Sequence, residues 1–137
     1  MTIVIDASIA LAWCFEDEAS EETDAVAQDV IANGGLVPSL FHLELANVLL
    51  QAERRGRISA SEIAQRLDLL AQMPIETDLQ TVGRAWSETL SLARAHKLTS
   101  YDAAYLELAS RKGAILATKD KALAGAARQI GVVVRGS

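Results

Sequence analysis

Short apolar runs rich in β-branched residues alternate with longer helical patterns along nearly the whole chain, and no other feature limits the fold as much. The runs are Ile3-Val4-Ile5, Leu36-Val37-Pro38, a weaker Ile75-Glu76-Thr77, the well-defined Ala114-Ile115-Leu116-Ala117, and Val132-Val133-Val134. Helical patterns fill the intervals: one from Ser8, one from about Glu18 to Ala32, then Leu40 to Arg55, Ser59 to Gln72, Leu79 to Lys97, Asp102 to Arg111 and Asp120 to about Gln129. The boundaries carry their own signals. Asn33-Gly34-Gly35 supplies a C-terminal stop, Ser59 and Glu62 have the spacing of a capping box, Pro74 disfavours helix at the residue before it, and Gly113 ends the Asp102 helix. Strands alternating with helices give a largely parallel sheet covered on both faces, so the expected fold class is a three-layer α/β/α sandwich.

The 137 residues suffice for one core, so the expectation is a single domain over residues 1–137 with one active site. A hydrophobic fraction of 50% and a charged fraction of 23% argue against long disordered stretches. Met1 to Asp6 does not read as a signal peptide, and no stretch is apolar for the roughly 18 residues that a membrane helix needs. Cys14 is the one cysteine. With no partner for an internal disulfide and no histidine near it in sequence, it reads as a buried structural thiol, and a reducing cytoplasm is the natural compartment.

The net charge of −5 argues against a nucleic-acid partner until its distribution is considered. Glu16, Asp17, Glu18, Glu21, Glu22, Asp24 and Asp29 form an acidic stretch without Lys or Arg; of the 18 acids the other 11 face 13 bases, so the rest of the chain is mildly basic. That pattern permits RNA binding without arguing for it.

Open α/β sheets bind ligands beyond the carboxyl ends of their strands, and four acids fall there. Asp6 directly follows the first run, Asp120 follows the Ala114 to Ala117 run after Thr118 and Lys119, Glu44 lies one turn inside the helix after Pro38, and Asp102 opens the short helix Tyr101-Asp102-Ala103-Ala104-Tyr105. Each also has an ordinary use. Asp6 and Asp120 suit N-caps, Asp102 suits a helix dipole, and Glu44 shares a polar stripe with Asn47, Gln51 and Arg54. What distinguishes the set is its apolar company: Asp6 extends a buried strand, and Glu44 sits among Leu43, Leu45 and Ala46. Carboxylates gathered in such surroundings repel unless a cation sits among them. Oxygen-only donors suit Mg²⁺ or Mn²⁺, whereas His42, His96 and Cys14 lack zinc-ligand spacing. Such ions activate water and neutralise a leaving oxygen, which is phosphodiester hydrolysis without a protein nucleophile.

Val4-Ile5-Asp6-Ala7-Ser8, Pro38-Ser39-Leu40 with Glu44-Leu45-Ala46-Asn47-Val48-Leu49, Tyr101-Asp102-Ala103-Ala104-Tyr105 and Thr118-Lys119-Asp120 resemble, in order and spacing, the successive motifs of PIN-domain nucleases, and most closely those of VapC-type toxins. The resemblance implies that Asp6, Glu44, Asp102 and Asp120 form an acidic quartet holding Mg²⁺ or Mn²⁺, with Asp6 and Asp102 the direct ligands. By the same resemblance Ser8 and Thr118 hydrogen-bond around the site, and Asn47 is the polar residue one turn after the second acid. It further implies an endoribonuclease acting on RNA, a homodimer, and a VapB-type antitoxin whose tail inhibits the site. Leu123 departs from the pattern, standing where many relatives have an aromatic residue. Trp13 and Phe15 suit either a partner surface or the core, and Arg54, Arg55 and Arg57 suit either phosphate or solvent.

Other classes fit the sequence less well. A receiver domain needs an acidic pair at the end of the first strand, but Asp6 stands alone; an Asp-x-Asp phosphatase is disfavoured by Ser8, and no glycine-rich phosphate loop is present. A PIN fold that binds RNA or a partner without cutting is the closer alternative, and the complete quartet weighs against it.

Overall fold

The computed structural model describes residues 2–137. Five strands, β1 (Ile3–Ile5), β2 (Gly35–Pro38), β3 (Ile75–Asp78), β4 (Ile115–Ala117) and β5 (Val134–Arg135), form one sheet in the order β3-β2-β1-β4-β5. Every pairing is parallel, with Ile3 opposite both Gly35 and Ile115. The helices are α1 (Ala7–Cys14), α2 (Glu21–Asn33), α3 (Leu40–Arg54), α4 (Ala60–Ala71), α5 (Thr81–Arg84), α6 (Leu90–His96), α7 (Ser100–Lys112) and α8 (Lys121–Gln129). They flank the sheet in the expected three-layer sandwich.

The core explains why both β1 and α7 lack a polar face. Ile3, Val4 and Ile5 are at most 2% exposed, so neither side of the strand meets water. Each such side chain contributes about 1.5–3 kcal/mol relative to full exposure. Helix α7 is buried continuously from Ala103 to Ala109. It packs on β1, β2 and β4, and also against α6 and α8, and its alanines let these neighbours approach closely. No described helix is long and apolar enough to cross a membrane.

Most boundaries follow the sequence signals. Ser59 and Glu62 form the reciprocal capping box of α4, Gly34 closes α2 with φ 87°, and Gly113 closes α7 with φ 61°. Four expectations are corrected. The helix expected from Glu18 begins at Glu21, because Ser20 and Thr23 cap one another while Glu16–Glu18 forms a 3₁₀ turn. Arg57 pins that turn through Asp17 and Glu18, with its guanidinium 3.8 Å above the Phe15 ring. The helix expected over Leu79 to Lys97 is interrupted. Asp78 Oδ2 accepts from Gln80 N and the Thr81 hydroxyl, which holds Leu79 outside the helix, and a π-turn over Ala85–Thr89 separates α5 from α6. Asp102 does not open its helix: α7 starts at Ser100 with Thr99 as its cap. The last strand is Val134–Arg135, since Val132 N is spent on Ala127 O in closing α8.

One electrostatic cluster lies inside this frame. Arg111, at the end of α7, donates to both oxygens of Asp78 and to both of Glu107, and all three side chains are nearly buried. The Arg111 guanidinium holds the Asp78 carboxyl below its ordinary range. Arg111→Met is therefore expected to cost about 3–5 kcal/mol, because it leaves the buried Asp78 carboxylate without its cation and Glu107 with Arg84 alone at 3.7 Å; urea unfolding at neutral pH measures it. The Asp78 contribution exists above the ordinary aspartate value of about 3.9 and disappears as pH falls through the lower folded value. The gap between wild type and Arg111→Met should therefore narrow on acidification.

Candidate active site

The sheet order places a topological switch at β1 and β4. The chain leaves β1 for β2 and β3 on one side, then crosses to β4 on the other. The crevice beyond the carboxyl ends of two such strands is where open α/β sheets bind ligands. Asp6 and Thr118 are the first residues past the two strand ends, and Asp6 N donates to Ala117 O at 3.2 Å.

Asp6 is 5% exposed and forms the floor of the site. Its Oδ1 accepts from the Ser8 hydroxyl at 2.6 Å and from Ile9 N at 3.2 Å, so it also caps α1. Its Oδ2 accepts from the Thr118 hydroxyl at 2.5 Å. The two hydroxyls extend the network toward the rim: Lys119 N donates to Ser8 Oγ, and Asp120 N donates to Thr118 Oγ1. Asp120 is exposed and uses Oδ1 to cap α8 through Leu123 N. Leu123, the departure from the family pattern, is fully buried in the core.

Glu44 and Asp102 enter from α3 and α7 and are half-buried. Glu44 Oε1 accepts from the Tyr105 hydroxyl at 2.5 Å, a contact that the sequence analysis did not assign although Tyr105 lies within the Tyr101-to-Tyr105 motif. Its position three residues after Asp102 puts it on the same helical face, but nothing local names Glu44 as its partner. Asn47 is exposed and, among the described residues, makes no hydrogen bond to the acids.

The acids act on one another electrostatically. Burial raises the Asp6 carboxyl despite its three donors, and Asp102 adds to the rise. Burial also raises Glu44, opposed by the Tyr105 hydrogen bond and assisted by Asp102 and Asp6. Asp102 is raised by burial and then by Asp120. Among the described residues no Lys or Arg forms an ion pair with any of the four. Lys119, next to Asp120 in sequence, sends its ammonium to Glu18 O instead. The contrast with Asp78, which Arg111 neutralises, marks the four acids as a site short of positive charge. They do not form a closed cage: among the described residues no three His, Cys, Asp or Glu side chains converge as ligands of one ion. An all-oxygen, partly open set of this kind fits Mg²⁺ or Mn²⁺, which retain waters and use one or two carboxylates directly.

The remaining candidates resolve into ordinary roles. Cys14 is buried and its thiol is pushed up by burial, opposite to what a nucleophile needs. Phe15 is in the core, while Trp13 is partly buried and donates its indole N–H to Thr23 O. Of the arginines, Arg57 is committed to the acidic turn, and Arg54 and Arg55 are exposed at the end of α3.

Residues 3–129 match the PIN domain family. Ribonuclease VapC3 from Pyrobaculum aerophilum is 33% identical over 125 residues, which cover 90% of this chain and 93% of that protein. The crystal structure of PAE2754 from Pyrobaculum aerophilum superimposes with a TM-score of 0.71 at 22% identity, over 98% of this chain and 89% of the other. FitAcB from Neisseria gonorrhoeae does so with a TM-score of 0.54 at 18% identity, over 96% and 95%. At these identities the two structures support the fold, while the family match and the VapC3 relative give the lineage. The chain belongs to the PIN-domain family, on its VapC-type branch.

Proposed function

We propose that this protein is a divalent-metal-dependent endoribonuclease that hydrolyses RNA phosphodiester bonds, and that it acts in the cytoplasm as the toxin of a bacterial VapBC-type pair. The observation that carries this reading is the placement of four mutually interacting carboxylates beyond β1 and β4 with, among the described residues, no Lys or Arg paired to them. The VapC3 relative, named a ribonuclease, supports it. Asp6 and Asp102 are the proposed direct ligands of Mg²⁺ or Mn²⁺, with Glu44 and Asp120 completing the set. The ion supplies the missing positive charge and the Lewis acidity for attack of water on phosphate.

The chain's own residues divide the remaining work. Ser8, Thr118 and Ile9 N fix Asp6, so its position costs no reorganisation when a ligand arrives. Asp120 spends one oxygen on its cap and presents the other at the exposed rim. We assign no such part to Asn47, which stands apart from the network.

Partners follow the same reading. A cavity of about 300 Å³ between α1, α2 and α4 is lined by Trp13, Phe15, Leu69, Leu70 and Met73, with the buried Nε of Arg66 lacking a partner among the described residues. This favours an antitoxin segment that combines apolar side chains with a carboxylate. Leu79, before α5, Val82 in α5 and Trp86 in the π-turn are 85%, 79% and 93% exposed, an apolar surface that supports a homodimer contact.

The discriminating experiment is cleavage of a mixed RNA pool by purified, antitoxin-free protein with Mg²⁺ or Mn²⁺ and with EDTA. Metal-dependent cutting that vanishes in Asp6→Asn and Asp102→Asn is expected; a wild type as inert as the variants would favour the non-catalytic PIN-fold reading.

Metal-free melting separates the two acids further. Asp102→Asn removes a raised, uncompensated charge and should increase the melting temperature. Asp6→Asn should change it little, because the relief of burying a charge is offset when an amide NH₂ meets the Thr118 hydroxyl. Millimolar Mg²⁺ should raise the wild-type melting temperature, by about 2.7 kcal/mol of stabilisation at a hundredfold excess over the dissociation constant, and should do so far less in Asp102→Asn.

A further inference from the structure

We propose that Tyr105 is a positioning residue of this site: its phenol holds Glu44 by one carboxylate oxygen and thereby fixes where the other oxygen meets a divalent cation. The proposal rests on the metal-dependent reading above. Tyr105 is 1% exposed and heads the fully buried side chains by volume. A buried phenol requires a partner for its O–H, and Glu44 Oε1 is that partner at 2.5 Å.

Glu44 depends on this contact far more than Asp6 depends on any single donor. Asp6 is held by Ser8, Ile9 N and Thr118. Glu44 has a longer and more mobile side chain, and among the described residues the phenol is the one group that donates to it. The donor, in contrast, is rigid, because α7 is buried on every side from Ala103 to Ala109. The same helix carries Asp102 three residues earlier. Tyr105 therefore sets the relation between the acid of α3 and the acid of α7.

The geometry limits what Glu44 offers. With Oε1 engaged by the phenol, Oε2 is the oxygen free of hydrogen bonds among the described residues, so Glu44 would serve as a one-oxygen ligand and leave room for the waters that Mg²⁺ or Mn²⁺ keeps. Groups that hold a ligand in place in this way are commonly worth 10–100-fold in metal affinity or activity.

Tyr105→Phe keeps the ring and removes only the O–H. Calorimetric titration of the full chain with Mn²⁺ alone, without RNA, should show an affinity about 10-fold or more below wild type, while the metal-free melting temperature stays close to wild type. RNA turnover should lose kcat with KM little changed. In a Glu44→Ala background, Tyr105→Phe should cause no further loss of Mn²⁺ affinity, since the pair acts as one unit. Losses that add, or an unchanged affinity in Tyr105→Phe when the wild type binds Mn²⁺, overturn the positioning role. A wild type that binds no Mn²⁺ overturns the metal reading and this proposal with it.

Discussion

A carboxylate at the end of a strand that has no solvent-facing side is the constraint on which the rest of this site depends. Asp6 is carried to its position by Ile3, Val4 and Ile5, whose burial leaves the strand no freedom to move outward. An acid so placed must be satisfied locally. The three donors that satisfy it come from the first turn of α1 and from the residue after β4. Through them Asp6 fixes the entry of α1 and joins the ends of β1 and β4. The Thr118 hydroxyl then receives Asp120 N, which sets the start of α8. The local structure at the switch point is thus arranged around one side chain.

Helix α7 links this region to a second one with the opposite electrostatic outcome. Near its start it brings Asp102 and Tyr105 to the acids; near its end it brings Glu107 and Arg111 to Asp78. At the second location an arginine satisfies two carboxylates, and the arrangement is complete without any ligand. At the first, three acids are pushed up by burial and by one another. A buried helix with little freedom to shift makes both arrangements persistent, so the strain of the acidic end is not relieved by movement. Under the metal-dependent reading proposed above, that is the physical sense in which the site is prepared for a cation.

The sequence made the alternation of strands and helices, the capping box at Ser59, and the glycine stops at Gly34 and Gly113 legible, because each depends on neighbours within a few residues. It misled where longer-range contacts decided the outcome. The turn over Glu16–Glu18 is held by Arg57, some forty residues away, and periodicity cannot report that. The break after Leu79 depends on the Asp78 side chain, which lies between the expected strand and the expected helix. Within the proposed site, the acids were legible from their places after strands, whereas Tyr105 was not. Its hydroxyl matters through a residue 61 positions earlier, and an aromatic side chain on a buried helical face carries no local sign of such a partner.

For Asp6 and Asp120 the capping role and the proposed functional role are not alternatives. Asp120 caps α8 with one oxygen and retains the other, so the cap itself determines where the free oxygen points. Asp6 caps α1 while its second oxygen takes the Thr118 hydroxyl, which binds the site to β4. In both cases a helix terminus provides the fixed donor that orients a carboxylate, at the end of the sheet where the helix begins. A fold of this topology repeats that junction after each strand. An acidic residue at such a junction therefore gains its orientation from the same hydrogen bond that starts the next helix, and the sequence requirement for the fold and the requirement for the site coincide in one residue.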